Sequence, residues 1–218
     1  MKVIAVNIAS PTVINWRGKE IKTGIYKSPV PGPILLEDED VKGDTVIDRK
    51  YHGGKDKACY LFSADHYAHW QKRYPEQEWN WGMFGENITA DGFDEADIYV
   101  GDILKIGNAV VQVSQPRQPC YKLGVRFGTQ KILKDFIAYA CPGAYLRVLT
   151  PGTVTEGAAV SILEKDPHKL SLKKVFEMLY RPEDSHEVQE AIKHPFLAES
   201  CRKDLDKVLK RISRAQVS

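Results

Sequence analysis

The sequence predicts a mostly β protein with peripheral helices, and three observations carry that expectation. Short strand-like runs crowd the chain up to about residue 163, Gly, Pro and Asp break them at close intervals, and helical periodicity takes over only beyond Lys165. The runs are residues 3–8, 34–36, 45–47, 58–62, 87–90, 103–106, 110–114, 144–149 and 160–163. Many short strands at such spacing favour a barrel or a sandwich over alternating strand and helix units.

Two helices interrupt the strands. One follows Ser63, a good N-cap residue, passes through Tyr67 and Trp70 to Tyr74, and stops at Pro75. The other follows Thr129, with Ile132, Leu133, Phe136 and Ile137 at helical spacing before Pro142. Further on, Leu172, Val175, Phe176 and Leu179 form one amphipathic stripe and Leu205, Val208, Leu209 and Ile212 another, with a shorter candidate between Asp184 and Lys193. Helices this short need tertiary partners. The expected organisation is therefore a strand-rich domain over residues 1–165 with a small helical extension over 166–218 packed against it.

Composition narrows the function classes. The 218 residues are 43% hydrophobic and 28% charged, as in an ordinary soluble globular protein. With 31 Lys and Arg against 29 Asp and Glu, the net charge is only +2. That balance argues against a nucleic-acid polymer or a membrane surface as partner by global attraction, while leaving room for a local basic pocket. MKVIAVNIAS has no signal-peptide h-region, and no apolar run approaches the roughly 20 residues a bilayer span needs, so a cytoplasmic location is expected. Cys59, Cys120, Cys141 and Cys201 are widely spaced with no CxxC pair, which suits free thiols in a reducing compartment.

Three polar clusters are candidates for chemistry. GDTVIDRKYHGGKDKA, residues 43–58, gathers Asp44, Asp48, His52, Asp56 and Lys57 around Gly53 and Gly54, a pair whose backbone amides can cradle an anion. A hairpin turn with its charges in water is an equal reading of that spacing. WGMFGENI, residues 81–88, sets Glu86 and Asn87 after two glycines, as a ligand-facing loop or as a tight turn capped by Asn87. In VSQPRQPCYKL, residues 113–123, a strand ends near Ser114 and gives way to a loop stiffened by Pro116 and Pro119. Cys120 leaves that loop with Arg117 and Lys122 near enough to favour its thiolate.

A small buried thiol is the ordinary fate of a free cysteine, and Cys59 within ACYLF fits it better than Cys120 does. A rigid thiolate has three other uses. It can be a nucleophile paired with a histidine, here His52. It can be a zinc ligand, for which the close Cys or His spacing is missing. Or it can be the single protein ligand of a metal whose other ligands belong to a cofactor.

DRKYHGGKDKA, GENI, VGDILKIGNAVVQVSQPRQPCYKL and GAYLRVL stand in the order and approximate spacing of the MOSC domain, named for the C-terminal region of molybdenum cofactor sulfurases. The chain resembles the bacterial hydroxylaminopurine-resistance branch of that family, which carries a C-terminal three-helix extension. The resemblance implies a β-barrel with peripheral helices, over 1–165, followed by the extension over 166–218. It implies a molybdenum cofactor, the metal bound to a molybdopterin dithiolene, with Cys120 as the ligating cysteine; a family-level association with pyridoxal phosphate accompanies it. The implied reaction is reductive dehydroxylation of an N-hydroxylated base or amine, such as hydroxylaminopurine, in a detoxifying role.

On that footing Arg117, Lys122, Lys57, Gly53 and Gly54 suit the cofactor phosphate, and Asp44 is counted with them among the cofactor-binding candidates. Asn87 suits the pterin or the substrate, and His52 and Asp48 suit proton delivery. No flavin, haem or iron–sulfur signature is present, so electrons are expected from a separate redox protein. A monomer or a homodimer fits equally well. One segment departs from the family's Gly-rich turn followed by an aromatic: here it reads CPGAYLRV, with Cys141 and Pro142, which bears on loop shape and substrate access. Two other readings remain, a sulfur carrier holding a Cys120 persulfide and a binding module with a structural thiol.

Overall fold

The computed structural model of the chain describes residues 1–47, 49 and 53–217. Chain order runs β1 (Lys2–Ile8), β2 (Thr12–Trp16), β3 (Lys19–Thr23), β4 (Ser28–Pro29), β5 (Ile34–Leu36), β6 (Cys59–Ser63), α1 (Tyr67–Arg73), β7 (Ile88–Asp91), β8 (Ile103–Ile106) and β9 (Ala109–Pro116). It continues through α2 (Tyr121–Arg126), α3 (Lys131–Tyr139), β10 (Ala144–Thr150), β11 (Gly152–Val154), β12 (Val160–Glu164), α4 (Leu172–Tyr180), α5 (Ser185–Lys193) and α6 (Glu199–Val217).

Eight strands form one sheet in the order β12-β8-β9-β10-β6-β7-β1-β4, antiparallel except at β6–β7. The sheet curls until its far strands approach: Val160 N donates to Met1 O at 3.0 Å, and Lys2 bridges Ala159. The expected barrel is met only as a sheet-dominated fold with flanking helices, because the ladder does not close. The reason lies in β1, whose edge away from β7 is divided between β4, at Asn7 and Ile8, and the single bridge towards β12. β9 is buried along nearly its whole length because both faces are covered, which explains its apolar start AVV.

The apolar side chains fall into two groups. Leu61, Ile88, Leu104 and Val111 of the sheet share one core with Leu172, Val175 and Leu205 of the C-terminal helices. Phe62, Trp70, Phe84, Phe127 and Phe136 form an aromatic core under α1 and α3, with Phe62 and Phe84 centroids 4.4 Å apart. Ser171 caps α4 by accepting from Lys174 N, and Asp184 caps α5 by accepting from His186 N.

Three local expectations change. Residues 45–47 are not a strand; they line a cleft, with no neighbouring ladder to join. After Ser63 the chain first makes a 3-10 turn, Ala64–His66, and only then α1. The hairpin β2–β3 went unread because its two-residue turn is Arg17-Gly18, with φ of 53° and 75°; the left-handed arginine masks a turn that an Asn-Gly pair would have announced.

Candidate functional site

The Cys120 loop is built from β9 outwards. Pro116 is the last residue of the strand, pairing with Ala144 of β10, and Cys120 is the N-cap residue of α2, with φ −123° and ψ 166°. Its carbonyl accepts Leu123 N at 2.9 Å. α2 had no place in the sequence reading; Leu123 and Phe127, four apart and both buried, were the available signal.

Cys120 faces a cleft of about 610 Å³, open to solvent, which Arg117, Lys122, Lys57, Asp44 and Asn87 also line. Asp44, Lys57 and Asn87, remote in sequence, thus join the thiol and its near neighbours Arg117 and Lys122. Gly53 and Gly54 are not among the lining residues: Gly54, at φ 86°, starts the 3-10 turn Lys55–Lys57 that carries Lys57 to the cleft. Asp48 and His52 lie outside the described residues.

Arg117 is 4% exposed, and its Nη1 has no hydrogen-bond partner. Its guanidinium carbon sits 5.5 Å from the Tyr60 ring centroid and 5.6 Å from that of Phe136. A buried guanidinium N–H without an acceptor is costly unless a ligand supplies one. Lys57 lies 5.7 Å from the Tyr145 centroid, and burial lowers its pKa. Tyr145 is pushed up to about 12 by burial, with Arg117 acting the other way, so it is a neutral phenol.

Asp44 is a hub. Its Oδ2 meets Lys27 Nζ in a buried ion pair and accepts Asn87 Nδ2 at 2.9 Å, while its Oδ1 accepts Ala9 N at 2.8 Å. Burial lowers the Lys27 pKa against the pull of Asp44. Asn87 spends its other bonds on the framework, Nδ2 to Asn7 O at 3.3 Å and Oδ1 from Tyr60 N at 3.3 Å. It therefore acts through Asp44. Glu86, fully buried, accepts Gly82 N, Phe84 N and Thr89 Oγ1 and so shapes the GENI turn. Asp56 turns from the cleft to Arg147 Nε at 2.9 Å.

Lys27, Tyr60, Tyr145 and Arg126 were given no site role in the sequence reading. Arg126 donates to the carbonyls of Ile25 and Lys27, fastening the 25–27 segment to α2. Gly24 permits a close approach: a Cβ there would lie 1.8 Å from Thr45 O. Trp16, at the tip of the β2–β3 hairpin, stacks on Tyr121 with centroids 5.0 Å apart. Behind the loop, Gln118 Nε2 donates to Asp204 Oδ2 at 3.1 Å and Ser200 Oγ to Gln115 Oε1 at 2.8 Å, so α6 braces the segment that carries Cys120.

A sheet-dominated fold with a cationic cleft around one thiol defines the class of protein, and residues 48–161 match the MOSC domain. The chain belongs to the MOSC domain family. Within it the chain is YiiM-like. YiiM from Geobacillus stearothermophilus superposes with a TM-score of 0.80 at 30% identity, covering 95% of this chain and 98% of that one. YiiM from Escherichia coli superposes with a TM-score of 0.75 at 25% identity, covering 98% and 94%. Protein YflK of Bacillus subtilis, uncharacterised, is 37% identical over 170 residues, 78% of this chain and 76% of its own length. A Gibberella moniliformis protein named as a reductase is 34% identical over 158 residues, which are 71% of this chain and only 28% of that protein. The MOSC family is associated with molybdenum cofactor binding.

Proposed function

We propose that the chain is a molybdenum cofactor-dependent reductase that removes the hydroxyl of N-hydroxylated bases or amines. The observation that carries this reading is the unpartnered Nη1 of Arg117, buried in a cleft beside the Cys120 thiol. Among the described lining residues, the side chains of Lys27, Lys57, Arg117 and Lys122 are cationic and only that of Asp44 is a carboxylate. Such a lining fits an anionic cofactor, and a lone soft thiol fits a metal whose remaining ligands the cofactor brings.

When bound, the cofactor supplies the two-electron redox change. The substrate N–O bond breaks, two electrons and two protons are taken up, and the products are the amine and water. Arg117, with Lys57 and Lys122, holds the anionic portion by charge-assisted hydrogen bonds. Cys120 offers its sulfur from a backbone fixed between Pro119 and α2. Lys27 Nζ, buried against Asp44, is the described group best placed to hold a proton at the cleft, and Asn87 fixes Asp44 in that pairing. His52 and Asp48 complete the proposed proton supply. A separate redox protein furnishes the electrons.

Cys120→Ala tests the reading. Protein made in a host that synthesises the cofactor is expected to hold stoichiometric molybdenum and reduce an N-hydroxylated purine, and the alanine variant to lose both. Full activity in Cys120→Ala would overturn it, and a labile gain of one sulfur mass on Cys120 in metal-free protein would support a sulfur carrier instead.

A further inference from the structure

A second cluster lies at the opposite end of β6 from the cleft. Ala58 and Tyr60 meet the cleft where the strand begins, whereas His66 stands beyond its far end. There a His66 nitrogen, a Glu95 oxygen and the Cys141 sulfur all lie within 4.8 Å of one another. His66 Nε2 is 2.9 Å from Glu95 Oε2. None of the roles proposed at the cleft uses these residues, and Cys141 belongs to CPGAYLRV, the segment that departs from the family pattern.

The ligand set is held from behind. The Glu95 side chain is 1% exposed, and its Oε1 accepts Gly143 N at 2.8 Å. His66 Nδ1 is 3.2 Å from the Tyr139 hydroxyl, and the imidazole packs edge-on against Phe62 and Tyr139. A metal-bound imidazole engages its second nitrogen in just this manner. Gly143, at φ 70°, has no room for a Cβ beside Leu61 O, so the turn after Cys141 is fixed against β6. The His66 side chain keeps 14% exposure, which leaves a route for an ion.

We propose that His66, Glu95 and Cys141 form a binding site for a zinc-class divalent ion, with three protein ligands and an open fourth position. Thiolate and imidazole select zinc or cobalt, whereas magnesium and calcium require oxygen ligands throughout. Zinc bonds of about 2.0–2.3 Å in a tetrahedron place ligand atoms roughly 3.3–3.7 Å apart, a spacing these side chains reach by small rotations. Three ligands with a vacancy match zinc sites that hold a water or a substrate atom rather than closed structural ones. The ion ties together the end of β6, the β7–β8 loop and the turn before β10.

The test uses the full chain stripped of metal by chelation, titrated with zinc against a chromophoric chelator and separately with cobalt. A single tight equivalent is expected, with four-coordinate cobalt bands and thiolate-to-cobalt charge transfer. Both signals persist in Cys120→Ala and in His168→Ala, the second of which disrupts the other such cluster among the described residues, Asp166, His168 and His194. In Cys141→Ala and His66→Ala zinc affinity falls at least about 100-fold, beyond the 10- to 100-fold typical of losing a supporting partner. Cys141→Ser keeps the shape, loses the charge-transfer band, and guards against a misfolded alanine variant, with far-UV circular dichroism as the check on folding. Absence of stoichiometric zinc in the wild type, or equal affinity in the Cys141 variants, overturns the site. So does loss of the equivalent in His168→Ala alone.

Discussion

Arg117 shows why a single residue can be stable in place and still lack something. The Tyr60 and Phe136 rings both lie close to its guanidinium, yet Nη1 donates to nothing. Arg117→Met keeps the apolar stem between Tyr60 and Phe136 and removes the charge. Thermal stability is expected to change little, while cofactor retained after purification falls at least tenfold, since hydrogen bonds to charged groups contribute about 1.5–3 kcal/mol. Pterin released per chain on denaturation measures it; unchanged retention removes Arg117 from the binding set. Arg117→Lys is not expected to restore binding, because an ammonium cannot reproduce the planar fork. Arg117, Cys120 and Lys122 were legible in the sequence because one stiff segment carries all three. Lys27 was not, since its significance arises only from Asp44, seventeen residues on, and from burial that no local pattern encodes.

At the scale of elements, the cleft wall depends on how closely the chain after β3 approaches residues 44–47. Gly24→Ala thrusts a methyl into Thr45 O, and the rearrangement is expected to cost about 1–3 kcal/mol. Urea unfolding reads this as a lowered midpoint at unchanged slope; an unchanged midpoint shows that the two segments part freely. Long, periodic elements were readable beforehand: β1, β9 and the stripes of α4 and α6 announce themselves by spacing. What escaped was short or irregular. The β2–β3 hairpin hid behind a left-handed arginine, α2 behind a mid-helix glycine that packs under the Gln130 side chain, and the apolar run at 45–47 serves the cleft rather than the sheet.

For the molecule as a whole, the C-terminal helices share the sheet's core, and one junction between them is expected to respond to pH. Asp166 N donates to Asp102 Oδ1 at 2.8 Å, and Asp166 Oδ1 faces His194 Nε2 at 3.1 Å and His168 Nδ1 at 3.0 Å. His194 Nδ1 already accepts Phe196 N at 3.3 Å, so the neutral tautomer satisfies both nitrogens. Burial lowers the His194 pKa, helped by the neighbouring His168 and Arg202 and opposed by Asp166. The unfolded chain therefore takes up a proton near pH 6.5 that the folded chain refuses, and stability present above that pH is lost as pH falls below it through the lowered folded pKa. The Asp166 pKa is also lowered, by its bonds from His168 and His194 outweighing burial, so its own contribution fades only at more acid pH. Urea midpoints at pH 7.5 and 5.5 are expected to fall with acidity, and His194→Gln to flatten the difference; identical slopes in both proteins exclude His194 as the source.

The bracing of the Cys120 loop by Ser200 and Asp204 has a consequence for biosynthesis. The stretch that carries the thiol is made well before the helix that steadies it. β1 likewise waits for residues near 160 before its bridged edge is covered. Synthesis proceeds from the N-terminus and domains fold as units. The thiol loop thus reaches its final shape only after α6 has been made, which places acquisition of any cofactor at Cys120 later than the synthesis of the thiol itself by at least the eighty or so residues that separate it from the bracing side chains.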